Sequence, residues 1–394
     1  MGRPDPPALT VGVEEEFLLI DPETGQVLPV CEDVRSRLGG PEAEQVVSEL
    51  AQFQIETNSG VHTDLRRLEE ELLRLRRTVG EAAAGCGARL AACGTALFGH
   101  TDLPPLTHSA RYRNMRRHYR DILRGQGVCG CHVHVGIEDR EEAVQVSNHV
   151  RPWLPVLQAL TSNSPISYGH DTGYASWRAI VWGRWPSTDP PPFFHSAEHY
   201  DALVAGLGDA GVILDEGMVY WQVRLSRTWP TMEFRLSDSC ATAGEAVLLA
   251  GLIRALSATA LADVRAGVAP PEVDQTLLSA ACWGAARGGL EGENLDLLSG
   301  ARVPVWESVG RLLDRVRPAL AVTGDLPLVV SGLDRLRRHG SGAVRQRHAL
   351  RRRVSLLDVA DLLIRQTQAA TGAPCRAPAP IPVPAAEPAG GEAG

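Results

Sequence analysis

The chain has 394 residues and a mass of 42.4 kDa, with 44% hydrophobic and 22% charged residues, an ordinary globular balance. Its 47 acidic and 39 basic residues leave a net charge of −8, which argues against a broadly basic nucleic-acid binder. All 39 basic residues are Arg, so a Walker-type phosphate loop, a lysine nucleophile and Schiff-base chemistry are excluded, and any phosphate must be held by Arg, backbone N–H groups or metal ions. No window holds the roughly 18 unbroken apolar residues of a membrane span, and the start, MGRPDPPALTVGVEEEF, lacks the apolar core of a secretory signal. The eight cysteines are scattered without a CxxC pair, so reduced thiols and a cytoplasmic location are expected.

Residues 1–9 read as a flexible lead and residues 371–394, rich in Pro, Ala and Gly, as a disordered tail, leaving 10–370 as one folded unit. Strands are expected over 11–20 and 51–58. After Asp64, Leu65, Leu68, Leu72, Leu75 and Val79 recur at helical spacing. A strand at 129–137 and helical periodicity near 141–160 follow. The irregular stretch 162–195 carries Tyr168, His170, Asp171, Tyr174, Trp177, Arg178, Trp182 and Trp185 among glycines and reads as a binding loop or lid. Strands over 219–227 and 231–238, separated by Thr228-Trp229-Pro230, read as a hairpin. Thr242-Ala-Gly-Glu245 is a capping-box pattern opening the apolar run 246–262. Helical periodicity returns near 305–317, 327–338 and 349–368. Strands and helices do not alternate regularly, which favours an α+β fold with an antiparallel or mixed sheet.

The strands carry a second signal. Successive strand side chains point to opposite faces. On that rule Glu14 and Glu16 share one face of the first strand. Gln52, Gln54, Glu56 and Asn58 align on the second, and His132 and His134 on the third. Gln222, Arg224 and Ser226 align on the fourth, and Glu233, Arg235 and Ser237 on the fifth. A solvated sheet face explains any one of these. It explains the set less well, because stacked Glu with a His pair is unusual there. If the strands are neighbours, their carboxylates repel and raise one another's pKa. A divalent ion relieves that, and a carboxylate-rich oxygen site suits Mg²⁺ or, with a His ligand, Mn²⁺.

Three other patterns read as accidental. Cys129 and Cys131 face away from the histidines, so a zinc knot from CGCHVH would need a broken strand. His195-Ser-Ala-Glu198-His199 matches HxxEH without a helical third ligand. Gly206-Leu-Gly208-Asp-Ala-Gly211 matches GxGxxG but follows a helix-like run, outside any βαβ unit.

GVEEEF at 12–17, QIETN at 54–58, CHVHVG at 131–136, SNSPISYGHDTGYASWR at 162–178 and MEFRLSDS at 232–239 together resemble the carboxylate–amine ligase family, also called the glutamate–cysteine ligase type 2 family. The resemblance runs in family order over most of 10–350. It implies a sheet similar to the catalytic sheet of glutamine synthetase, antiparallel or mixed, curved around metals and nucleotide, with helices packed on its back. It also implies ATP-dependent amide formation through an acyl phosphate, normally on the γ-carboxylate of glutamate, with cysteine or another amine as acceptor. Carried over by position, Glu14, Glu16, Glu56, His132 and Glu233 hold metal. Arg235 and Glu233 serve catalysis, with Arg235 on the transferring phosphoryl group or the substrate carboxylate. His339–Arg347 is similar to the family's late basic loop, so Arg345 and Arg347, with Arg224, are expected on nucleotide phosphates. Arg178 is expected on a substrate α-carboxylate, with Asn58 and His134 also facing substrate. The partners implied are small molecules, a glutamate-like carboxylate and an amine, with neither nucleic acid nor membrane; a homodimer is expected by resemblance. A metal-dependent amide hydrolase using the same Glu/His face, and a catalytically silent nucleotide-binding homologue, are the competing readings.

Overall fold

The structure, a computed structural model, describes residues 8–98 and 103–369. The expected tail at 371–394, and all but the last two residues of the expected lead, lie outside them.

Seven strands make the main sheet: β1 (Val11–Ile20), β2 (Val46–Ser48), β3 (Gln54–Asn58), β4 (Arg89–Ala91), β5 (Gly130–Gly136), β6 (Val223–Leu225) and β7 (Thr231–Asp238). Their order is β2-β3-β1-β5-β7-β6, and every pairing is antiparallel. β4 pairs with the far end of β1, at Leu18–Ile20, where β5 has ended. The expected hairpin closes as β6–β7, with Leu225 opposite Met232. The α+β class with an antiparallel sheet is what the strand pattern indicated.

Period two divides the sheet into two faces. Val11, Val13, Cys131, Val133, Val135, Met232 and Phe234 are buried on one face, in a single core with the helices behind. Chief among these helices are α1 (Leu65–Gly85), α3 (Arg140–Val150), α4 (Leu154–Leu160) and α5 (Ala243–Arg265), whereas α2 (Ala110–Tyr119) lies on the other, polar side. α5 packs on β1 and β5, and between α1, α3 and the later helices α6 (Val305–Thr323) and α7 (Leu326–His339). Half of its expected capping box forms, Thr242 Oγ1 accepting from the Glu245 N–H, while the Glu245 carboxylate pairs with Arg345. By length and composition α5 could cross a bilayer, but 94% of its apolar window is buried within the protein, and Arg254 in its middle pairs with Asp325. It is the core helix. Gly251 permits that packing: a Cβ there would lie 2.8 Å from Leu65 Cδ1 and 3.1 Å from Val329 Cγ2.

Several expected boundaries shift. The segment near 141–160 is two α-helices joined by a 3₁₀ turn at Arg151–Trp153, where Pro152 and Pro155 withhold N–H groups. Residues 219–222 are not strand; they are wall, with Tyr220 and Trp221 buried beside Met115, Tyr119, Trp185 and Phe194 over the polar face. The basic segment 339–347 is not a loop from Gly342 onward. It opens α8 (Gly342–Arg353), capped by Ser341, and α9 (Leu356–Gln368) follows a break at Val354, so 349–368 is not one helix. His195 and His199 stack at an exposed helix start, with rings 4.9 Å apart. Gly206 and Gly208 lie inside that helix, Ala197–Asp209.

Candidate active site

Antiparallel register brings the polar residues together. Glu16 on β1 is directly opposite Glu56 on β3; Glu14 is opposite Asn58 on one side and His132 on the other. His134 on β5 is opposite Glu233 on β7, and Glu233 is opposite Arg224 on β6. Between Cys131 and Val133 the β5–β7 register slips by one, so Arg235 and Leu236 share the place across from His132. Five neighbouring strands thus deliver four glutamates, two histidines and two arginines to one patch.

Three overlapping sets of ligand atoms lie close enough to share a cation, each set within 4.8 Å: Glu14, Glu56 and His132; Glu16, Glu49 and Glu56; Glu14, His134 and Glu233. A cavity of about 280 Å³ opens over them, walled by Arg111, Tyr112, Trp182, Trp185 and Tyr220. Glu49 was not among the expected residues. It sits in the connection between β2 and β3, half-buried, where a period-two rule has no reach.

The hydrogen bonds set the protonation states. His132 Nδ1 donates to Glu14 Oε2 at 2.9 Å, and His134 Nε2 donates to Glu14 Oε1 at 3.0 Å. Burial alone would push the Glu14 carboxyl up, but these two bonds outweigh it and hold it well below its ordinary value. Burial, with the Arg235 charge, pushes His132 down, so the ring is neutral. Since Nδ1 carries the proton, Nε2 carries the lone pair. That atom is buried, has no hydrogen-bond partner, and lies 3.7 Å from Glu16 Oε1. A lone pair and a carboxylate oxygen facing each other at that distance leave a place for a cation.

Glu56 and Glu49 show the opposite strain. Burial, with the charges of Glu14, Glu49 and Glu16, raises the Glu56 carboxyl well above its ordinary value. Burial and the Glu16 charge raise Glu49 to about 7. Asn58 Nδ2 donates to Glu56 Oε1 at 3.1 Å, and the Gly130 N–H donates to Glu16 Oε2 at 2.6 Å. Asn58 therefore touches the acidic cluster itself. Glu233 is held differently. Arg224 forks onto it at 2.8 and 3.2 Å, and Arg235 bonds its Oε1. Burial would raise its carboxyl, but the Arg235 and Arg224 charges prevail and keep it ionised. Arg224 is in turn fixed by the Gly217 and Val219 carbonyls, at 2.8 and 2.9 Å, while Arg235 keeps a buried, unpartnered Nε.

Six expected site residues do not line this cavity: Asn58, His134 and Glu233 touch residues that do, whereas Arg178, Arg345 and Arg347 are engaged elsewhere. Arg178 is buried beside the cavity, its guanidinium 5.6 Å from the centre of the Trp182 ring. Its guanidinium occupies the space over Gly130, where a Cβ would come within 2.3 Å of Nη2, and it donates to the Arg235 carbonyl. Asp238, whose oxygens accept from Ser164, Ser176 and the Asn163 N–H, provides its nearest counter-charge. Arg345 pairs with Glu245 at 2.7 Å. Arg347 forks onto Asp171 at 2.8 Å through both nitrogens and donates to the Tyr174 carbonyl. These cations are committed to protein partners around the 162–178 segment, which α8 docks through Gln346 onto Asn163.

Comparison with known proteins adds a lineage. A family model described as glutamate-cysteine ligase family 2 matches residues 10–373. A Salinispora arenicola protein, named provisionally as a glutamate–cysteine ligase 2, is 48% identical over 368 residues, covering 93% of this chain and 97% of that one. A Streptomyces coelicolor protein with the same provisional name is 44% identical over 363 residues, covering 92% and 99%. Among solved structures, the glutamate–cysteine ligase of Francisella tularensis, in complex with AMP, superposes with a TM-score of 0.65 at 12% identity, over 94% of this chain and 90% of that one. The bifunctional glutathione synthetase of Pasteurella multocida gives 0.67 at 15% identity, over 91% of this chain and 52% of that one. These two likenesses concern the fold.

Proposed function

The chain belongs to the glutamate–cysteine ligase family 2, and from that membership we propose that it is an ATP-dependent carboxylate–amine ligase, forming an amide on a glutamate-like carboxylate, the γ-carboxylate of glutamate foremost, through an acyl phosphate. The observation that carries the reading is the juxtaposition of His132 Nε2, unpartnered and proton-free, with a bank of four buried or half-buried glutamates, 14, 16, 49 and 56. A hydrophobic cavity wall does not otherwise tolerate such a bank.

Mg²⁺ or Mn²⁺ held there would offset the charge of ATP, roughly four negative units, and polarise the phosphoryl oxygens. Glu14, Glu16, Glu56 and His132 are the ligands proposed, with Glu49 added and Glu233 reaching the same region beside His134. Arg235 lines the cavity, with its Nε buried and unpartnered, and is proposed to meet the transferring phosphoryl group. Arg224 holds Glu233 and the 217–219 carbonyls in place. No side-chain nucleophile is required, because the substrate carboxylate attacks phosphorus and the amine then displaces phosphate from the acyl carbon. The AMP bound to the Francisella tularensis enzyme is consistent with a nucleotide on this fold.

The experiment is an assay of ADP release with Mg²⁺ or Mn²⁺, glutamate and a panel of amines, with product masses. Amine-dependent ADP and an amide of the expected mass support the reading. Nucleotide-independent hydrolysis of an amide by the same metal-loaded protein would replace it with a hydrolase.

A further inference from the structure

Two residues that line the cavity each carry a buried polar atom without a partner, one an acceptor and one a donor. Gln126, in the segment that leads into β5, is 2% exposed and lines the cavity. Its Nε2 donates to the Val181 carbonyl at 3.1 Å, which fixes the amide's orientation, since the flipped form would set two oxygens against each other. Its Oε1 is then aimed away from Val181 and receives no donor. The indole N–H of Trp185, also a lining residue, has no acceptor. Buried amide oxygens are almost always satisfied. The surroundings say what is missing here. Met115, Val128, Trp182 and Trp185 make this part of the wall apolar and aromatic, and none of the three cation-binding sets includes a residue of it. The absent partner is therefore a hydrogen-bond donor rather than a metal ion.

We propose that Gln126 Oε1 receives a primary amino group of a substrate, which makes Gln126 a specificity-determining residue. The inference rests on the ligase reading for the identity of the amine. An amino group enters that reaction from two sources, the nucleophilic amine and the α-ammonium of a glutamate-like donor, and both present the same N–H. The Trp185 N–H, also on a lining residue, suits a substrate that carries an oxygen acceptor as well as an amino group, as an amino acid does.

The test uses the full chain with Mg²⁺ and ATP, wild type against Gln126→Met, which keeps the side chain's length and removes its acceptor. One arm compares glutamate with glutarate as donor; the other titrates primary amines. If Gln126 holds the nucleophile, KM for the amine rises by at least about tenfold while kcat and KM for glutamate stay within about twofold. If it holds the donor's α-ammonium, the wild-type preference for glutamate over glutarate shrinks by about tenfold instead. Constants unmoved on both arms overturn the proposal. A binding arm needs neither turnover nor a variant: quenching of Trp182 and Trp185 fluorescence by primary amines, including glutamate, and by their N-trimethylated counterparts, which keep the charge and lose every N–H. Equal affinities refute the role of Gln126, whereas a preference for the primary amines that Gln126→Met abolishes supports it. Absence of ADP release from the wild type with any amine would retire the ligase reading and leave this binding result to stand or fall alone.

Discussion

At the scale of single residues, the site is built from groups whose charges are stable only in company. Glu16 and Glu233 illustrate two ways of holding a buried carboxyl group in place. Glu16 Oε2 accepts from the Gly130 N–H, whereas Glu233 takes a fork from Arg224 and a single bond from Arg235. Replacing either with Gln keeps the shape and removes the charge. Turnover is expected to fall by about 100-fold or more in each variant, with the thermal transition retained; normal kcat in either removes that residue from the site. Arg235→Lys is expected to fail similarly, because an ammonium cannot reproduce a planar guanidinium that bonds Glu233 while lining the cavity. Glu49 gives a pH signature. Its folded pKa, about 7, lies above the ordinary 4.5, so between those values the folded state holds more protons than the unfolded one. Stability of the metal-free protein therefore decreases as pH rises through that window. Adding Mn²⁺ within it is expected to release protons and to raise the melting temperature. Calorimetry in two buffers of different ionisation heat reads the protons, and a buffer-independent heat would show that none are released.

At the scale of elements, the strands were legible and the connections were not. Glu14, Glu16, Glu56, His132, Glu233 and Arg235 follow from alternation, which a sheet obeys wherever one face is buried. Glu49, Arg111 and Gln126 belong to connecting segments or to a helix over the sheet, where no periodicity marks them. Arg178, Arg345 and Arg347 stood out as cations near a basic or aromatic motif. Their partners, Asp238, Glu245 and Asp171, are distant in sequence and became visible only in three dimensions. The split of 349–368 had a local signature in Ser355 and Asp358, an S-x-x-D cap inside an otherwise helical run: Ser355 Oγ accepts from the Asp358 N–H. The residue before it, Val354, adopts left-handed φ of 53° while 86% exposed, costly for a β-branched side chain with nothing to pack against. Val354→Gly is expected to stabilise the protein by about 1 kcal/mol, read as a shift in urea midpoint; a destabilised variant would show that the conformation carries no strain.

At the scale of the whole molecule, one buried ion pair joins the front of the sheet to its back. Glu15 lies between Glu14 and Glu16 on β1 but points to the core, where Arg76 of α1 meets it at 3.0 and 2.5 Å. The same guanidinium donates to the carbonyls of Cys240 and Ala241, just after β7, and of Thr367 in α9. Arg76→Met would leave Glu15 buried without a counter-charge, at a cost of about 3–5 kcal/mol. Adding Glu15→Gln is expected to recover much of that loss in a urea melt, and equal midpoints for the single and double variants would show that the pair is not the source.

That guanidinium has a wider implication for how inactivity arises in such a chain. Because one side chain anchors the strand bearing the acidic cluster, the exit of another strand and the last helix, harm done far from any ligand can travel to the reactive centre without altering a single group that touches it. A survey of loss-of-activity variants restricted to cavity-facing positions would overlook this rear fastening, and sequencing such variants should find it hit alongside the glutamates.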